Sequence, residues 1–165
     1  MAIKRYVANA DTTITNAFKM DLSTRGTGSN MGAADILEVF SIYGQASGSS
    51  GVSQELSRVL IKFPMSDIST DRTNAVIPAS GSVSFYLRMF NAEHSETLPR
   101  AFHLTASAVK RDWEEGNGLD MVEYVDETFG GEGANWIYYS QGNAWTDSGG
   151  DYYRNTAASF KKYFG

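Results

Sequence analysis

Apolar and polar positions alternate with a period of two along several stretches of this 165-residue chain, the spacing that turns one face of a β-strand toward a core. The clearest run is Leu56 to Phe63, where Val59, Ile61 and Phe63 fall on one face and Arg58 and Lys62 on the other, with Pro64 as the stop. Ser82 to Phe90 repeats the rule: Val83, Phe85, Leu87 and Met89 are expected inward, Ser84 and Arg88 outward, after a Pro78-Ala-Ser-Gly81 turn. Phe102 to Val109 puts Phe102, Leu104, Ala106 and Ala108 on one face. Shorter runs at Ile3–Ala8 and Asp35–Tyr43 read as further strands, the first ended by Asp11-Thr-Thr, and Trp136–Tyr139 as a late one. Between them, Asp21–Gly32 and Gln45–Ser53 are Gly/Ser-rich and read as loops. A helical period fits none of these runs.

Strands that each offer one apolar face bury it most simply by pairing two sheets face to face, so the expected fold is all-β, an antiparallel β-sandwich of jelly-roll type. Composition supports strands and turns: there are 16 Gly and 3 Pro, and 9 Tyr, 9 Phe and 3 Trp supply the aromatic surface that suits a pleated sheet. The length fits one domain over residues 1–165, with a core from about 3 to 152 and a tail over 153–165.

Charge and cysteine content remove several functions. The net charge is −5 and no Lys/Arg cluster occurs, so the cation stripe that grips phosphates is missing and nucleic acid is not an expected partner. With no cysteine, disulfides, thiolate metal sites and cysteine nucleophiles are all excluded. No signal-peptide pattern follows Met1 and no segment is apolar enough to span a bilayer, so neither export nor a membrane partner is expected.

Past Lys110 the chain becomes Gly-rich and acidic, and a set of landmarks falls into order. Asn30-Met-Gly32 precedes the run from Ile36. It is followed by Ser57-Arg-Val-Leu-Ile-Lys-Phe63, Ile77-Pro-Ala-Ser-Gly81 with Phe85-Tyr-Leu, Asp112-Trp-Glu-Glu-Gly116, Ala134-Asn-Trp136, Ala144-Trp145 and Gly149-Gly-Asp151. From about Asp11 to Tyr152 this order resembles the DNRLRE-type jelly-roll domains, which are similar in shape to carbohydrate-binding modules and occur in bacterial surface proteins and marine phage particles. In that family further strands follow the Gly-Gly-Asp segment and complete the sandwich. The resemblance therefore implies that the end after Asp151 meets either a continuation or another subunit.

Two groups of residues carry candidate chemistry. Asp112 to Glu132 holds eight acidic residues and no Lys or Arg; its hard oxygens, Asp112, Glu114 and Asp120 foremost, would suit Ca²⁺, although the spacing is not that of an EF-hand. The blander outcome for such a run is a solvated or subunit-facing acidic face. No other cofactor is expected. Trp136, Tyr138, Tyr139 and Trp145 are close in sequence and would stack on a sugar ring or anchor an interface, against the alternative that the tryptophans simply pack the core.

Catalytic arrangements fail. Glu114 and Glu115 are neighbours that point apart on a strand, His94 and His103 form no triad, and Gly26-Thr-Gly28-Ser-Asn-Met-Gly32 lacks phosphate-loop spacing. By alternation His103 faces outward. The expectation is a protein that is not an enzyme. It would be a phage virion component (decoration, tail or fibre subunit), assembled in the host cytoplasm with copies of itself or other virion proteins. The alternative is a glycan-binding adhesion module for a surface polysaccharide.

Overall fold

The computed structural model describes residues 3–43, 54–93, 104–119 and 132–154. Regular structure is mainly strand. β1 (Ala10–Thr15), β2 (Ser41–Tyr43) and β3 (Gln54–Lys62) form an antiparallel sheet in the order β1-β3-β2. β3 is the centre of that sheet, pairing Ala10 with Lys62 through Thr15 with Ser57 on one side and Ser41 with Leu56 on the other. A second, two-stranded antiparallel sheet joins β4 (Tyr138–Ser140) to β5 (Asn143–Ala144). Among the described residues the helical elements are α1 (Met65–Thr73) and a 3₁₀ turn at Ser80–Ser82. The described chain is thus all-β in character, built from small antiparallel sheets, and no described helix is long and apolar enough to cross a membrane.

β1 lies where the alternation reading ended its first strand. Ile3 and Val7 are 83% and 81% exposed and outside any ladder, whereas Asp11-Thr-Thr is inside one. The threonines explain the shift. Their β-branched side chains suit a strand, and their hydroxyls stand in for backbone partners where polar groups are sealed from water. The Thr12 hydroxyl accepts from the Met31 N–H and the Thr13 hydroxyl from the Glu38 N–H. That of Thr15 donates to the Leu56 carbonyl and accepts from Ala17. Thr12, Thr13, Ile14 and Thr15 are all fully buried, so β1 is covered on both faces and three hydroxyls tie it to the chain around it. Of the run Asp35–Tyr43, only Ser41–Tyr43 enters a ladder; before it, the Glu38 and Phe40 N–H groups bond to the hydroxyls of Thr13 and Ser57.

β3 falls within a residue or two of its expected place and stops just before Pro64, and both of its faces are covered. The packed face carries Leu56, Arg58, Leu60 and Lys62: Leu60 is buried in the core cluster, Arg58 lies over Trp136 and Lys62 over Trp113. Long cationic side chains can line an apolar surface when their stems bury and aromatic faces receive their heads. The opposite face buries Glu55 and Ser57; Glu55 accepts the Phe18 N–H, and Ser57 bonds to the 38–40 segment.

The core is made by Ile14, Leu60, Trp113, Ala134, Trp136 and Trp145, with Ala10, Leu56, Val109, Ile137 and Tyr139 packed around it. The tryptophans that punctuate the Gly-rich half are therefore the filling between the three-stranded sheet and the 132–154 segment. Backbone bonds close that packing: Trp136 N–H to the Thr27 carbonyl, Glu114 to Tyr139, and Ala134 back to Glu114.

The run Ser82–Phe90 does not form the expected strand. Val83 is extended (φ −118°, ψ 131°), yet from Val83 to Phe90 no backbone group is hydrogen-bonded among the described residues. Phe85 (61%), Tyr86 (82%), Met89 (56%) and Phe90 (92%) are exposed, and Leu87 is as well. Of the run Phe102–Val109, residues 104–108 are irregular, Leu104 is exposed, and only Val109 pairs, through an isolated bridge to Tyr152. Residues 102–103, the 45–53 loop and the 155–165 part of the tail lie outside the described residues, as do His94 and His103.

Candidate functional site

Two places concentrate the residues singled out by sequence. The first forms around Asn30. This fully buried amide accepts the N–H groups of Gly32 (3.2 Å) and Gly118 (3.0 Å) on Oδ1 and donates through Nδ2 to the Glu132 carbonyl (3.0 Å). Three chain segments thus converge on one side chain, and the glycines are what let them approach. A Cβ on Gly32 would strike the Glu115 carbonyl, one on Gly118 the Asn30 carbonyl, and one on Gly133 the Gly116 backbone. Gly116 and Gly133 also hold positive φ (81° and 92°), which costs a residue with a side chain extra strain.

This convergence shapes an open depression of about 510 Å³ lined by Glu114, Glu115, Gly116, Asn117, Glu132, Gly133 and Gln141. Among the described residues its lining is acidic and carries no Lys or Arg. Glu115 Oε1 accepts the Asp11 N–H (2.7 Å) and Glu114 Oε2 accepts the Gln141 N–H (3.2 Å), so each carboxylate holds a backbone donor from another part of the chain. Burial, with Glu115 alongside, pushes the Asp11 carboxyl above its usual range.

Of the three residues expected to hold calcium, Glu114 lies on this depression, Asp112 does not, and Asp120 is outside the described residues. Asp112 points into solvent, pairs with Lys62 Nζ and accepts the Trp113 N–H; these bonds, Lys62 first, hold its carboxyl below the usual range. The opposite charge of Lys62 already occupies it. Among the described residues no group of three His, Asp or Glu side chains is arranged to hold a metal ion.

The second place is the aromatic group. Trp136 and Trp145 are 8% and 5% exposed, with the Trp145 indole N–H donated to the Asn135 carbonyl (2.9 Å). Tyr139 is half-buried against Trp145, ring centroids 5.6 Å apart, and the Arg111 guanidinium covers it at 5.0 Å. The structure uses these residues as packing: Tyr139 and Trp145 meet each other, and the Trp136 ring is covered by Arg58 and Gly149. Tyr138 alone of the four keeps an exposed ring. Next to them, the Gly149-Gly-Asp151 segment folds back on Trp136. The Gly149 N–H donates to the Trp136 carbonyl at 2.6 Å, and both glycines take positive φ. Asp151 is buried and accepts the Thr146 and Asp147 N–H groups and Arg111 Nε.

The surface that sequence reading missed is in the segment Val83–Phe90, where Phe85, Leu87 and Met89 are expected inward and are exposed while Val83 is half-buried. A signal was present. Tyr86 and Phe90 fall on the face opposite Val83, Phe85, Leu87 and Met89, so the run is apolar on both sides and asks for cover on both. No family model matches the chain, and neither a curated protein nor a solved structure matches it.

Proposed function

We propose that this chain is a non-enzymatic structural protein whose jelly-roll-type β-domain is completed by association with copies of itself, as in a phage particle of the kind the ordered sequence landmarks suggest. The observation that carries this reading is the exposed apolar segment Val83–Phe90. Its backbone donors and acceptors have no partners among the described residues, and its side chains are too large and too contiguous for a surface meant to face only water. An assembly covers such a segment by supplying a strand or a sheet face from a neighbour, and symmetric lattices and rings do so repeatedly. The acidic depression fits a recognition surface better than a reaction centre, because Glu114 and Glu115 each already hold a backbone N–H group.

Light scattering over a concentration series, followed by electron microscopy of the fractions, tests the proposal. Mass rising with concentration toward a discrete oligomer is expected. A chain that stays monomeric throughout overturns it. The exposed ring of Tyr138 keeps a glycan-binding reading in view; loss of polysaccharide retention in Tyr138→Ala is its requirement, and a wild-type chain that no glycan retains ends it.

A further inference from the structure

The exposed segment also specifies how a second copy would meet it. Resting on the self-assembly reading above, we infer that Val83–Phe90 pairs with the same segment of a second copy as an antiparallel strand, about a two-fold axis that passes through Tyr86. The backbone is free for a ladder: no N–H or C=O from Val83 to Phe90 is bonded among the described residues, the segment contains no proline, and none of its residues takes a positive φ. Such a row of unmet donors and acceptors is the template on which another strand adds.

The side chains select the occupant and the register. In an antiparallel pair, directly opposite residues share a face, so only registers that place odd positions opposite odd ones keep apolar with apolar. Centring on Tyr86 sets Val83 opposite Met89 and Phe85 opposite Leu87, in both directions, and all four odd-numbered apolar residues of each copy meet one another. A centre one residue earlier leaves Met89 facing Gly81; one residue later leaves Val83 facing Asn91. The charges agree with the Tyr86 centre. Arg88 is the segment's single charged residue, and it falls opposite Ser84 and not opposite its own copy. On the other face Tyr86 meets Tyr86, an aromatic pair across the axis. Because each copy presents the same patch, the contact is isologous and closes after two chains. A two-stranded ladder alone is marginal in water, so the pairing is expected to be weak and concentration-dependent unless a larger assembly reinforces it.

The chain has no cysteine, which makes single-cysteine cross-linking of the full chain a clean test. Tyr86 is 82% exposed, so Tyr86→Cys leaves the folded contacts intact. Opposite Cβ atoms on paired strands come within about 4.5–5.5 Å, near what a disulfide spans, so Tyr86→Cys should oxidise to a reducible dimer about tenfold faster than Ser84→Cys. Mixing Ser84→Cys with Arg88→Cys should restore fast cross-linking between the two different copies. Light scattering on the same samples separates the outcomes. If the chain self-associates while Tyr86→Cys cross-links no faster than Ser84→Cys, this segment is not the contact and assembly uses another surface. If it cross-links slowly and the chain is also monomeric, the assembly reading fails with it.

Discussion

The guanidinium of Arg58 lies 5.0 Å from the ring centroid of Trp136, with the ring of Tyr152 5.2 Å from the same group. Its Nη1 donates to the Gly149 carbonyl. One side chain from the central strand thus joins the late Trp and Gly-Gly-Asp landmarks. A planar guanidinium can stack and donate at the same time, whereas an ammonium cannot reproduce that geometry.

Arg58→Ala should lower unfolding stability by about 2–4 kcal/mol, from one charge-assisted hydrogen bond and two ring contacts. Arg58→Lys should recover less than half of that loss. Urea unfolding followed by tryptophan fluorescence reads both variants, and a Lys variant as stable as the parent would show that charge alone matters here.

The Asn30 convergence should tolerate neither a changed amide nor a side chain on its glycines. Asn30→Asp keeps the acceptor for Gly32 and Gly118 but replaces the donor to the Glu132 carbonyl with a buried negative charge, and is expected to cost about 2–4 kcal/mol. In Gly118→Ala the new Cβ would lie against the Asn30 carbonyl, a backbone group that cannot swing aside, so a comparable or larger loss is expected. Gly142→Ala is the contrasting control. Nothing stands near its Cβ position, and the cost there is only that of its positive φ, about 1 kcal/mol. Thermal melts of the three variants in parallel check the order.

Two carboxylates should move stability in opposite directions with pH. Asp71 accepts the Tyr6 hydroxyl (2.7 Å) and pairs with Lys4 (3.0 Å), fastening the N-terminal segment to α1, and these bonds hold its carboxyl below the usual range. The contribution of Asp71 is present above the ordinary carboxylate pKa of about 4 and is lost as pH falls through its own lower value. Tyr6 is pushed up to about 12, by burial first and by Asp71 next, so its share lasts below about pH 10 and is lost as pH rises through about 12. In Asp71→Asn the Tyr6 titration, followed by NMR, should move back toward 10, and trypsin should cut faster at Lys4 and Arg5. Asp11 is raised instead, so its proton is held more tightly in the folded chain and stability falls as pH rises through its titration. Asp11→Asn should therefore gain a few tenths of a kcal/mol near pH 7 and nothing near pH 3, since the Asp11 N–H that Glu115 accepts is unchanged. Melting temperatures of parent and variant at the two pH values decide this.

Much of the framework was legible along the chain. β3 and its end before Pro64, the Asp21–Gly32 turn region, the late strand near Tyr138, and the packing alternative for the tryptophans follow from periodicity and turn residues, which are local properties. The site was less legible. Glu114 and the four aromatics were singled out, but Asp112 turned to Lys62, and Asn30 was marked only as a landmark, its role hidden because its partners lie 88 and 102 residues away.

By itself the sequence determined that this is a β-rich chain without cysteine chemistry, with glycines where segments must come close and aromatics enough to fill a core. Only the tertiary structure decided which face of a strand counts as inside. Alternation distinguishes two faces without ranking them: the threonines of β1 are buried because Met31, Glu38 and Leu56 supply partners for their hydroxyls, and Arg58 and Lys62 face the core because Trp136 and Trp113 are there to receive them. The same rule, with no such partner among the described residues, leaves Phe85 to Phe90 turned outward.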